Sequence, residues 1–118
     1  MDMDVGIDIT AVERFVDYKD KPEAFLSRIF TNKELSYSFM QKNFPQTLAG
    51  KYAAKEAIIK LLSKKGFSIG QLSKLEILNN ENGKPFLNRC PIEGLEKKIK
   101  ISISHDGDYA IAIAIIDQ

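Results

Sequence analysis

The sequence predicts an α+β fold, with early helices packed on a mainly antiparallel sheet. Three observations carry this: helical spacing in the first half, period-two alternation in the second, and turn residues placed where two hairpins need them.

Residues 4–9 alternate Val5, Ile7 and Ile9 with Asp4, Gly6 and Asp8, the pattern of a short half-buried strand whose Asp8 points away from the apolar face. Thr10 with Glu13 reads as a capping box, so a helix toward Tyr18 or Lys19 is expected directly after the strand. Pro22 suits the first turn of a short helix carrying Ala24, Phe25 and Ile29. Thr31 with Glu34 makes a second capping box ahead of Leu35 and Phe39.

Residues 42–47, with Asn43, Pro45 and Gln46, read as a connection. Over residues 48–62, Ala49, Ala53, Ala57 and Leu61 fall four apart, and Ile58 and Leu62 widen the stripe. This is the clearest helix of the chain, closed by late lysines and Gly66. Tyr52, Glu56 and Lys60 share one line along it, Lys51 and Lys55 an adjacent one.

Leu75 and Ile77 alternate with Glu76, residues 79–83 supply a turn, and Pro85-Phe86-Leu87 resumes an extended segment, predicting a hairpin. Ile99, Ile101 and Ile103, the Asp106-Gly107-Asp108 turn and residues 109–116 predict a second. Its alternating isoleucine and alanine are expected to make a strongly buried return strand.

The chain has 118 residues, 17 Lys and Arg against 16 Asp and Glu, and 44% hydrophobic residues, as expected of one compact domain spanning residues 1–118. No apolar run approaches the ~20 residues of a membrane span, and no basic region followed by an apolar core opens the chain. The single cysteine, Cys90, excludes an internal disulfide framework, so a cytoplasmic location is expected by elimination. The formal charge of +1 gives no bulk attraction to nucleic acid or membrane. A chain of this size buries about two-thirds of its surface, so a cofactor-sized cleft would consume much of the core. Sharing the cleft with a second subunit eases that problem.

Asp8 ends an apolar strand and Glu56 interrupts an Ala- and Ile-rich helix; folded together, the two carboxylates suit one hard cation that also engages phosphate. The bland alternative is two solvent-facing acids. Glu56 is the only acid among residues 38–65, against six lysines, which suits phosphate or an acidic partner. Lys60, one turn beyond Glu56, would set a point charge beside a bound phosphate, or form an ordinary ion pair with it. Gly83-Lys84-Pro85 allows close backbone approach to an anion but lacks the full phosphate-loop pattern. His105, the only histidine, ends a Ser102/Ser104 cluster without a nucleophile-elbow pattern, so ligand binding or structural hydrogen bonding suits it better than serine hydrolysis. Cys90 has no partners at zinc-ligand spacing.

Four segments, GIDITAVERF, KYAAKEAIIK, NENGKPF and SISHDGDYAIA, together resemble the holo-acyl-carrier-protein synthase group of the 4'-phosphopantetheinyl transferase family, in family order and across almost the whole chain. The likeness is to the short, stand-alone form. It implies transfer of phosphopantetheine from coenzyme A to a serine of apo-acyl carrier protein, releasing adenosine 3',5'-bisphosphate, within fatty-acid and lipid biosynthesis. It further implies that Asp8 and Glu56 bind Mg2+, that Lys60 contacts the reacting phosphate, and that Glu56 or Asp8 receives the serine proton. By the same resemblance, Gly83, Lys84, Pro85 and His105 bind the nucleotide end of coenzyme A, and Arg14, extended by Arg28, receives the acidic carrier. Lys51 stands where the family often has arginine, losing the planar five-donor fork. The short form implies a homotrimer with active sites at subunit boundaries. Two readings from other classes stand beside this one: a noncatalytic carrier or nucleotide-binding module, and a small structural oligomer.

Overall fold

The computed structural model describes residues 3–117. Strand β1 (Met3–Ala11) is longer than its alternation suggested, and two 3-10 turns, Val12–Phe15 and Tyr18–Asp20, replace the expected helix. Thr10 is still in the strand. Its hydroxyl donates to Asp8 Oδ2 at 2.7 Å instead of capping a helix, so the first capping box does not form. Helix α1 (Glu23–Leu26) follows Pro22, and α2 (Asn32–Phe39) follows Thr31. The second capping box forms as expected: Glu34 N donates to Thr31 Oγ1 at 3.3 Å and Thr31 N to Glu34 Oε1 at 2.8 Å. Helix α3 (Phe44–Ser63) starts inside the expected connection because Pro45 suits its first turn. It closes before Gly66, whose φ of +87° only glycine adopts easily.

The two hairpins are present. The first is β2 (Glu76–Asn79) with β3 (Pro85–Arg89), a two-stranded sheet; the second is β4 (Ile99–Asp106) with β5 (Tyr109–Asp117). β1 joins the second to make an antiparallel sheet in the order β1-β5-β4.

One face of this sheet packs on α3, and small residues decide which. Across β1 and β5, Gly6 pairs with Ala114, Asp8 with Ala112 and Thr10 with Ala110. Ala112 and Ala114 are buried in one cluster with Ala53 and Ala57, and Ala110 in another with Leu48 and Ala49, so the helix lies close to the strands. At Gly6 a Cβ would overlap the Ala57 carbonyl oxygen and stand 3.0 Å from Leu61 N; the strand rests on helix backbone there. Ile58, Leu61 and Leu62 are fully buried, each worth about 1.5–3 kcal/mol of transfer from water. Phe15, Tyr18, Leu26, Phe30 and Leu48 form a second cluster with Ala49 and Ala110.

The alternation in β1 and β5 is as expected, but its burial is inverted. Val5, Ile7, Ile9 and Ile111 line the outer face and are 42, 54, 63 and 39% exposed. These four thus face away from α3, and the return strand is buried through its alanines and Ile116. Asp8 is directed to the helix side, opposite Val5, Ile7 and Ile9 as the period requires.

A buried polar network joins α2, α3 and β2. Glu34 and Lys55 form an ion pair of 2.7 Å with neither side chain exposed. Lys55 Nζ also donates to Ile29 O at 2.6 Å, and Ile77 N donates to Glu34 Oε2 at 2.6 Å. Thr31 Oγ1 donates to Glu76 Oε2 at 2.6 Å, and Asn88 Nδ2 to Glu76 Oε1 at 2.9 Å. The lysine-rich helix is therefore not one phosphate-facing surface: Lys51 and Lys55 are internal. No helix among the described residues is long and apolar enough to cross a membrane.

Candidate active site

The first group of side chains lies where β1 runs along α3. β1 is an edge strand, and lysines from the helix occupy its outward carbonyls. Lys64 Nζ donates to Val5 O at 2.8 Å and Lys60 Nζ to Ile7 O at 3.0 Å. The match is geometric: four helix residues rise about 6 Å and two strand residues about 6.6 Å, so lysines one turn apart meet alternate carbonyls. Lys65 adds an ion pair to Asp4 at 3.1 Å.

This seating brings Asp8 to the helix. Lys60 Nζ is 3.1 Å from Asp8 Oδ1, while Thr10 holds Asp8 Oδ2. Lys60 thus pairs with Asp8 across elements, not with Glu56 one turn before it. Glu56 is half-buried. Burial first, then the Asp8 charge, push its carboxyl above the ordinary glutamate value, while Lys60 and Arg14 oppose the rise. Two neighbouring carboxylates, with cations on the flank, are a donor set that would suit a divalent cation.

Arg14, in the turn after β1, stacks over the Tyr52 ring with its guanidinium carbon 4.5 Å from the centroid and donates to Tyr52 Oη at 3.2 Å. The Tyr52 hydrogen bond, and more weakly the Glu56 charge, raise its pKa further. The first 3-10 turn therefore carries Arg14 to the same helix face as Glu56. Arg28, exposed just beyond α1, belongs to neither grouping; its carbonyl accepts from Ser73 N at 3.2 Å.

The second group lines a cleft of about 210 Å³ between α3, the first hairpin and β4, including Tyr37, Gly50, Lys51, Asn79, Gly83 and His105. His105 is on the helix-facing side of β4, paired with Ala110, and Nε2 donates to Gln46 O at 3.0 Å. The carbonyl can only accept, which fixes that nitrogen as the protonated one. Gly50 makes room for the ring: a Cβ there would stand 2.9 Å from His105 Nε2. Pro85 also lines the cleft, whereas the Lys84 side chain lines a neighbouring groove with Phe86 and Lys100. The structure thus gathers Gly83, Pro85 and His105 but turns Lys84 aside. Asp8 and Lys60 line a different concavity, with Ile7, Ile9 and Ile111.

Sequence reasoning missed Tyr52 as the seat of Arg14, Gly50 as the space for His105, and Lys51 and Asn79 as cleft residues. Only Gly50 carried a local signal, a glycine early in a strong helix. Cys90 is buried and unpaired, its thiol pushed up by burial, in keeping with the absence of zinc spacing.

The profile of the family described as the 4'-phosphopantetheinyl transferase superfamily matches residues 4–114. The chain is 47% identical over 115 residues to a holo-[acyl-carrier-protein] synthase of Thermodesulfovibrio yellowstonii, covering 95% of this chain and 96% of that protein. It is 38% identical over 121 residues to one of Halothermothrix orenii, covering 97% and 96%. The fold is similar to the ACPS-CoA complex of Chronobacterium ammoniagenes, with a TM-score of 0.79, 25% identity and coverage of 98% and 97%. It is also similar to the Bacillus anthracis holo-(acyl-carrier-protein) synthase in complex with CoA (3',5'-ADP), at TM-score 0.74, 29% identity and coverage of 96% and 94%. With relatives of this identity along nearly its whole length, and the α+β architecture they share, the chain belongs to the 4'-phosphopantetheinyl transferase superfamily.

Proposed function

We infer that the chain is a holo-[acyl-carrier-protein] synthase: it transfers 4'-phosphopantetheine from coenzyme A to a serine of apo-acyl carrier protein, giving the holo-carrier and adenosine 3',5'-bisphosphate. It acts in fatty-acid and lipid biosynthesis. The observation that carries the site assignment is the meeting of Asp8 on β1 with Glu56 and Lys60 on α3, since strand and helix contribute the charged groups together.

The serine oxygen attacks the phosphorus bearing the pantetheine arm, its proton leaves, and the bond from that phosphorus to the bridging oxygen of the nucleotide breaks. Asp8 and Glu56 would hold Mg2+, which when bound supplies charge neutralisation to the pyrophosphate. Lys60, held against β1 by Ile7 O and Asp8, places a fixed ammonium where negative charge develops. Glu56 takes the serine proton. Asp8, held by Thr10 and Lys60, is the weaker acceptor.

Gly83, Pro85 and His105 bind the nucleotide end, while Lys84 lines the adjoining groove. Arg14 receives the acidic carrier, and Arg28 extends that surface. The chain works as a homotrimer with shared active sites. Two features support this: the apolar outer face of β1 and β5, and the separation within one chain of the Asp8 concavity from the His105 cleft. The enzyme acts in the cytoplasm, without nucleic acid or membrane partners.

Intact-mass measurement after incubation with apo-acyl carrier protein, coenzyme A and Mg2+ tests the reading. A carrier gaining one phosphopantetheine, with the gain abolished by a chelator and by Asp8→Ala, is expected. An unmodified carrier counts against the activity, chelator resistance against the metal, and full transfer by a monomer at assay concentration against the shared site.

A further inference from the structure

Lys51 is only 2% exposed, yet among the described residues no carboxylate pairs with it at ion-pair distance. Its Nζ donates to Ile77 O at 2.7 Å and to Asn79 Oδ1 at 2.6 Å, and lies 5.0 Å from the centroid of the Tyr37 ring. An ammonium can only donate, so it obliges Asn79 to present its oxygen. The Asn79 amide nitrogen then faces the other way and donates to Gly83 O at 3.0 Å. Gly83, at φ +83°, belongs to a turn closed by Gly83 N to Asn80 O and Lys84 N to Asn80 Oδ1, both 2.9 Å. The relay from α3 through Asn79 ends on a residue that lines the cleft with His105.

We propose that Lys51 and Asn79 are positioning residues for coenzyme A: Lys51 orients the Asn79 amide, and Asn79 holds the Gly83 turn at the distance from His105 that the nucleotide end requires. Neither acts as a phosphate ligand. The proposal rests on the reading of the His105 cleft as the nucleotide site. It explains why a costly buried ammonium is kept at a position where a packed apolar side chain would be cheaper to bury.

The test is steady-state transfer with coenzyme A and with dephospho-coenzyme A, at saturating apo-carrier. Lys51→Met, Asn79→Asp and Asn79→Leu are each expected to raise KM for coenzyme A about tenfold with kcat nearly unchanged, because the turn shifts but the reacting groups do not. Asn79→Asp still accepts from Lys51 but also adds a negative charge, so Asn79→Leu, neutral and of similar size, isolates the loss of the donor to Gly83 even where Lys51→Met fails to fold. The double variant of Lys51→Met with Asn79→Leu is expected to be no worse than the worse single one, and Lys51→Arg to restore KM to within a few fold. The ratio of the two KM values is expected to stay at its wild-type value throughout. A ratio that moves in Lys51→Met makes Lys51 a direct phosphate ligand and overturns the proposal, as do additive effects or a wild-type KM in Asn79→Leu. His105→Ala separates the two levels: if it raises KM while the relay variants do not, the relay fails alone; if it too leaves KM unchanged, the cleft assignment fails and the relay with it.

Discussion

Gly6→Ala is expected to damage transfer from a position that carries no chemistry. The added methyl would overlap the Ala57 carbonyl oxygen and lie 3.0 Å from both Ala57 C and Leu61 N. These are backbone atoms of a helix buried on that side, so no side chain can swing away. β1 must lift from α3 by roughly an ångström, and forced overpacking of this kind costs about 1–3 kcal/mol. The displacement is also felt at Asp8, two residues further along the same face. Lys60 Nζ reaches Ile7 O at 3.0 Å and Asp8 Oδ1 at 3.1 Å, and Lys64 Nζ reaches Val5 O at 2.8 Å. Stretched by an ångström, none of these remains a hydrogen bond.

An ångström of misplacement at reacting groups is worth about 100-fold in rate, or about 2.7 kcal/mol of barrier. The assay is kcat/KM for modification of apo-acyl carrier protein, followed by intact mass and run at a temperature where circular dichroism shows the variant folded. Urea denaturation measures the stability loss separately. A folded Gly6→Ala enzyme with kcat/KM within threefold of wild type would refute a site assembled by strand-to-helix backbone contact.

Two further outcomes follow from buried charges. Glu34→Ala removes the acceptor for Lys55 Nζ, Thr31 N and Ile77 N together, and is expected to destabilise by about 3–5 kcal/mol in urea denaturation; a loss under 1 kcal/mol would show that the network is solvated. Burial, the largest effect, lowers the Lys51 pKa to about 8 from 10.5. Because the folded value is the lower one, the unfolded chain binds more protons between those limits. The penalty from this group is full below pH 8 and is relieved as pH rises to 10.5. The stability of wild type relative to Lys51→Met should therefore be flat up to about pH 8 and then climb by about 3 kcal/mol toward pH 10.5. A flat difference throughout would mean the ammonium is not desolvated.

How far the sequence carried can be judged on α3. Its existence was legible because Ala49, Ala53, Ala57 and Leu61 repeat every four residues, and its start was misplaced only because Pro45, a breaker elsewhere, is favourable in a first turn. The roles of its lysines were not legible. Lys51 and Lys55 find their partners at Ile77, Asn79 and Glu34, between 21 and 28 residues away, and nothing at positions 51 and 55 announces burial. Asp8, Glu56 and Lys60 could be singled out because an acid in an apolar strand and a lone acid in a basic helix are locally anomalous. Their meeting depends on Gly6, a residue whose importance lies in what it lacks.

The inverted burial of β1 and β5 has the same root. Alternation specifies two faces but not which one the helix covers. With isoleucine on one face and alanine or glycine on the other, the larger apolar face looks like the core. The smaller face admits the helix more closely, and closeness is what seats Asp8 beside Lys60. The chain has no other long helix to lay over Val5, Ile7, Ile9 and Ile111 among its described residues. A face so apolar, at 39–63% exposure, is the surface that the proposed homotrimer would cover. The close packing that sets Asp8 beside Lys60 on the helix side is the same one that leaves Val5, Ile7, Ile9 and Ile111 exposed on the other.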